Sequence, residues 1–131
     1  ASPDGQGIFW IEANDADELI TALETELEDL EVQRSIDPSH ILIVSASKKV
    51  QLLIAETDPG HFECTSWEDR GEANIVCETI HRSKGLEFDV VILIAMSEEV
   101  SDSLLYVGSS RAVSLLTVIS PQSVAARLGI A

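Results

Sequence analysis

Positive charge is what this sequence has least of. Only eight of its 131 residues are Lys or Arg, against 23 Asp and Glu, and the formal net charge is −15. A protein that grips nucleic acid by itself neutralises phosphates with cations, so this chain alone is expected to hold DNA poorly. Two cysteines, Cys64 and Cys77, are too few for a disulfide framework and fit a reducing cytoplasm. Neither they nor His61 and His81 repeat a metal-ligand spacing, so no metal site is expected. No apolar run approaches the roughly 18 residues that span a bilayer, the longest being residues 90–96. Residues 1–7 contain neither a basic nor an apolar leader-like stretch and read as a linker or expression remnant.

The glycines exclude as much as the cations do. None of the seven is followed by Lys, so the G-x-x-x-x-G-K phosphate loop is ruled out. No acidic pair ends an apolar strand to hold Mg2+. Gly108-Ser109-Ser110 is not a G-x-S-x-G nucleophile elbow, and Gly5 and Gly7 precede a strand rather than follow one, which excludes a dinucleotide fingerprint. Trp10 and Trp67 are read as core or edge side chains rather than base-stacking platforms.

What remains is an ordinary soluble composition, 45% hydrophobic and 24% charged, at a length suited to one domain over residues 8–131. The acid is uneven. Residues 1–37 hold eleven Asp and Glu and a single cation, Arg34, a balance of −10, whereas the other 94 residues carry −5. Most of the excess can therefore face away from a polyanion.

Residues 8–13 (IFWIEA) read as a strand, and Asn14 or Asp15 caps a helix over residues 17–32 with Leu19, Ile20, Leu23, Leu27 and Leu30 as its buried stripe. Glu24, Glu26, Glu28, Asp29 and Glu31 form a solvated outer face. Residues 41–44 (ILIV) are a continuous apolar run, as a strand buried on both faces requires. A helix opens at residues 45–47 and ends at Asp58-Pro59-Gly60. Strands are expected at residues 62–67, 75–80, 90–96 and 115–120, with helices at 101–113 and 122–128. Strands alternating with helices around apolar strand cores imply an α/β sandwich on a mostly parallel sheet.

Two stretches carry chemistry. The first is residues 79–89, TIHRSKGLEFD, between two strands, where its polar groups are expected at a strand's carboxyl end. The second is residues 104–112, LLYVGSSRA. As isolated features these would be a polar connector and an Arg on an amphipathic helix. The first, however, closely resembles motif V of superfamily 1 DNA helicases of the Rep/UvrD type, Thr-x-His-x-x-Lys-Gly-Leu-Glu-Phe followed by an apolar strand. The second resembles motif VI, Leu-x-Tyr-Val-(Ala/Gly)-x-Thr-Arg-Ala, with Ser110 keeping the hydroxyl of the usual Thr. The motifs come in family order with one strand between them.

The resemblance implies the second RecA-like motor domain of such a helicase, a three-layer α/β sandwich. It implies that Glu87 hydrogen-bonds the ribose of ATP and that Arg111 is the arginine finger reaching its γ-phosphate. A rigid guanidinium fork suits the charge that builds on a transferring phosphoryl group. Thr79 and His81 are implied to lie by single-stranded DNA and to link it to the nucleotide, with Lys84 beside them. Gly85 lets backbone approach phosphate closely. Ser47 and Lys48, after the strand at 41–44, stand where the family touches the DNA backbone, although its usual Arg there is replaced by Ser45, Ser47, Lys48 and Lys49. ATP and Mg2+ are then held mainly by an N-terminal motor domain, and the chain alone is expected to be monomeric and inactive. The short interval before motif V marks a compact branch without the large inserted subdomain, and residues 97–103 lack the Glu-Glu-Arg-Arg often found there. The competing reading is a catalytically inactive helicase-like module whose acidic helix docks a basic partner.

Overall fold

A computed structural model describes residues 7–72 and 74–130. Six strands form one sheet: β1 (Gly7–Glu12), β2 (Ile41–Ser45), β3 (Cys64–Thr65), β4 (Ile75–Thr79), β5 (Phe88–Ile94) and β6 (Ala112–Ser120). Their order is β1-β6-β5-β2-β4-β3 and every pairing is parallel. The helices are α1 (Ala16–Glu28), α2 (Lys48–Thr57), α3 (Asp102–Ser109) and α4 (Gln122–Arg127).

A parallel sheet needs cover on both faces. All five β2 residues and Val90–Ile94 of β5 are buried. On one face Leu19, Leu23 and Leu27 of α1, with Ile54 of α2, pack on Ile41, Ile43, Ile92 and Ile119. On the other, Leu105 of α3 and Val124 of α4 pack on Leu42, Val44, Leu93 and Val118. The product is the three-layer α/β sandwich expected. Among the described residues no helix is long and apolar enough to cross a membrane.

The expected α1 begins as the capping residues dictate. The Asp15 carboxylate accepts the Glu18 N–H at 2.8 Å, and Asp17 and Glu18 complement the positive end of the helix. Past Glu28 the chain continues as a π-turn, Asp29–Gln33, closed by Arg34 N–H to the Asp29 carbonyl at 3.2 Å. Ile20 is half-buried, at the rim of its stripe.

Several boundaries move, and each for a local reason. The linker expected over residues 1–7 lies outside the described residues except for Gly7, which opens β1. The strand expected at 62–67 shrinks to Cys64–Thr65, because a turn closed by Asp69 N–H to the Ser66 carbonyl turns the chain away. β5 starts two residues early, at Phe88, through an irregularity in register that lets Asp89 point outward to His40 at 3.4 Å. The helix expected to run to residue 113 stops at Ser109. Arg111 N–H turns back to the Gly108 carbonyl, and β6 begins at Ala112, paired with Phe88. Arg111 is therefore a turn residue, not a helical one.

Candidate functional site

In a wholly parallel sheet every strand ends on the same edge, so the connection from β4 to β5 must cross the sheet from the carboxyl edge back to the amino edge. Residues 80–87 make that crossing without a helix, over a strand length of roughly 16 Å. This corrects the placement of residues 79–89 at one carboxyl edge: only their first part is there.

The carboxyl edge gathers Ser47, Lys48, Thr79 and His81. Ser45 and Thr79 are register partners on adjacent strands, and Ile80 N–H donates to the Ser45 carbonyl at 2.9 Å. Ser47 caps α2, its hydroxyl accepting the Val50 N–H at 3.4 Å, so its first duty is structural. Lys48 is exposed in the first helical turn. The Thr79 hydroxyl accepts the Arg82 N–H at 3.4 Å and starts the short turn His81–Ser83, on which His81 is exposed. A cleft of about 640 Å3 opens beside them, between Ser45, Ser47, Met96 and Ser101.

The crossing is held from beneath. Ile80 is fully buried, and the Ser83 hydroxyl, buried too, donates to the Ile80 carbonyl at 2.6 Å. Leu86 N–H donates to the Ser83 carbonyl at 2.9 Å. Between them Lys84 is exposed, and Gly85 adopts φ +83°, a conformation that L side chains rarely take. A Cβ on Gly85 would meet no protein atom within 4 Å, so backbone conformation rather than packing requires glycine here.

The amino edge receives Glu87 and Arg111 side by side. Phe88 N–H donates to the Arg111 carbonyl at 3.1 Å, which ties the start of β5 to the turn before β6. Arg111 is half-buried and its Nε–H donates to the Val107 carbonyl at 3.1 Å. Glu87 is exposed on the wall of a cleft of about 660 Å3 with Trp67, Phe88, Asn74 and Asp89. Trp67 meets Phe88 edge to face at 6.0 Å, and Arg70 stacks on Trp67 at 3.4 Å. Trp10 takes an edge position, donating its indole N–H to the Ser120 carbonyl at 3.2 Å.

The two motifs touch through Gly108. A Cβ there would come within 2.9 Å of Leu93 and 3.2 Å of Ile80, so the missing side chain is what lets α3 lie on the crossing. The segment ahead of α3 is pinned from α4. Arg127 donates to the Asp102 carboxylate at 2.9 and 2.7 Å, to the Glu98 carbonyl at 2.9 Å, and to the Val100 carbonyl. Sequence reasoning missed this clamp. It also missed a buried carboxylate, Glu78, whose signal was legible as the one acid inside the apolar strand IVCET.

Both cysteines are buried and free. Burial, with Asp58 nearby, pushes the Cys64 thiol up to about 12, and burial pushes Cys77 up as well. Neither is then a ready thiolate nucleophile or ligand. Among the described residues no group of three or more His, Cys, Asp or Glu side chains could hold a metal ion.

Comparison with known proteins bears on the same region. Residues 74–119 match the family model of the UvrD-like helicase C-terminal domain. The fold is similar to that of the C-terminal domain of a possible DNA helicase from Lactobacillus plantarum WCFS1, with TM-score 0.71 and 21% identity, covering 90% of this chain and 74% of that one. No curated protein matches the chain. The matched segment contains the whole crossing, β5, α3 and most of β6. Residues 74–119 are thus similar to the C-terminal domain of UvrD-like helicases, and they sit in a fold shared with the C-terminal domain of that possible DNA helicase.

Proposed function

We propose that this domain is the trans half of an ATP-driven DNA motor. An N-terminal RecA-like domain of the same protein holds ATP and Mg2+. From this side Glu87 accepts a ribose hydroxyl and Arg111 offers N–H donors to the γ-phosphate. Single-stranded DNA runs past the opposite edge, along Thr79, His81, Ser47 and Lys48, with Lys84 and Gly85 on the crossing between.

The observation that carries this reading is the path of residues 80–87. They join the edge bearing Thr79 and His81 to the edge bearing Glu87 and Arg111 through one short connection packed on the sheet. A shift at either edge is felt at the other, because a packed connection of this length has little slack. The charge deficit fits as well. The acidic α1 lies on the other face of the sheet from the crossing, and hydroxyls and main-chain N–H groups can grip phosphate without cations. Lys48 and Lys49 in the first turn of α2 sit at the positive end of a helix, where an anion is stabilised.

The alternative of a silent docking module leaves Glu87 and Arg111 on one edge without a task. The deciding experiment is Arg111→Ala in the full-length protein. ATP turnover is expected to fall roughly 10³-fold or more while nucleotide affinity is largely spared. Near-normal DNA-stimulated turnover in that variant would refute the motor reading.

A further inference from the structure

Among the described residues Glu78 is the only charged residue that is buried, at 2% exposure. A charge there is costly unless it is partnered. It stands one position before Thr79, on the face of β4 that the crossing covers. Its Oε2 accepts the Trp67 backbone N–H at 2.9 Å. Its Oε1 accepts from the Gln51 side-chain amide at 3.5 Å and lies 3.6 Å from Arg82 Nε. The same Gln51 amide donates to the Cys77 carbonyl at 2.9 Å.

Part of this is sealing. β3 pairs only with Ile75 and Val76, so the rest of β4 has no outer neighbour, and Gln51 and Glu78 supply partners along that bare edge. A neutral amide at position 78 would accept the Trp67 N–H equally well. What calls for a carboxylate is Arg82, held between Glu78 and, at 3.1 Å, Glu68. Arg82 belongs to the turn between His81 and Ser83, and its own N–H donates to Thr79. Fixing its guanidinium fixes the first turn of the crossing, which the Ser83–Ile80 and Leu86–Ser83 hydrogen bonds extend toward Gly85 and Glu87. Gln51 joins α2, which begins at Ser47 and Lys48, to the same carboxylate.

We propose that Glu78 is a positioning residue: through Arg82 it sets the turn at residues 79–83 and thereby the strength with which DNA at the carboxyl edge acts on Glu87 at the amino edge. This rests on the motor reading above. The test uses the full-length protein and reads the ratio of ATP turnover with saturating single-stranded DNA to turnover without it. Glu78→Gln and Arg82→Gln are each expected to lower that ratio by about threefold or more, with DNA-free turnover kept, as fits a link in a coupling network. The double variant should fall no further than the singles, because both remove one link. Arg82→Lys, which keeps the charge, should recover part of the ratio.

A ratio equal to wild type in both single variants overturns the proposal. So does a parallel loss of both rates together with a lower melting temperature, which would mean a structural role only. Should Glu78→Gln fail to fold, Arg82→Gln decides alone, since that side chain is half exposed. A wild-type protein whose turnover DNA does not stimulate would sink the motor reading itself, a result distinct from intact stimulation in the variants.

Discussion

The two edges of this sheet are built from the same strands yet suit opposite tasks. At the carboxyl edge strand ends are followed by hydroxyl-bearing turns and a helix start with two lysines, a surface for a polyanion. At the amino edge a strand start and a helix exit meet, tied by the Phe88 N–H to the Arg111 carbonyl, and Glu87 stands on the wall of an aromatic-lined cleft. In the proposed motor the first surface offers hydroxyls and lysines to a long polyanion, and the second offers Glu87 and Arg111 to one nucleotide. Function in that motor is divided along the strand direction, and residues 80–87 are the part of motif V that spans it.

That division can be broken by experiment. Arg111→Ala, with the loss of roughly 10³-fold given above, tests the amino edge most severely. Next comes Gly108→Val, which should disturb both edges together. A branched side chain forced against Leu93 and Ile80 is expected to cost about 1–3 kcal/mol, read as an earlier urea midpoint of the chain. An unchanged midpoint would mean that α3 and the crossing are not in close contact. Glu87→Ala, which removes the acceptor, should raise the ATP KM about tenfold with kcat held, and should erase any preference for ATP over its 2′,3′-dideoxy analogue. If the preference survives, the ribose contact lies elsewhere. The smallest effect is expected at the other edge. Thr79→Val should raise the DNA concentration for half-maximal stimulation by about threefold, one hydrogen bond's worth. A change in the ATP KM alone would place Thr79 on the wrong side of the comparison.

Much of the fold was legible because burial leaves a local trace. ILIV at residues 41–44 and VVILI within β5 are apolar without alternation, the mark of strands covered on both faces, and Leu19, Leu23 and Leu27 repeat at helical spacing. Boundaries were less legible where tertiary pairing overrode local pattern. Asp89 looks like loop until the register irregularity lets β5 include it, and Ala112–Ser114 looks like a helix end until Phe88 pairs with Ala112. The candidate site divides the same way. Glu87 and Arg111 were read through family resemblance, and the structure sets them on one edge. Gly85 was read as room for phosphate, whereas its positive φ is the reason visible in the backbone.

By itself the sequence determined which residues could form strands and helices, the absence of a phosphate loop, and the two motifs in their order. Those are properties of neighbours along the chain. Only the tertiary structure decided which edge each motif residue occupies, that Arg111 leaves the helix, that Gly108 lets α3 touch Ile80, and that the buried Glu78 meets the half-exposed Arg82. The physical reason is the parallel sheet. It sends every connection across a face, so residues close in sequence, such as Thr79 and Glu87, end apart, while residues distant in sequence, such as Glu87 and Arg111, end together.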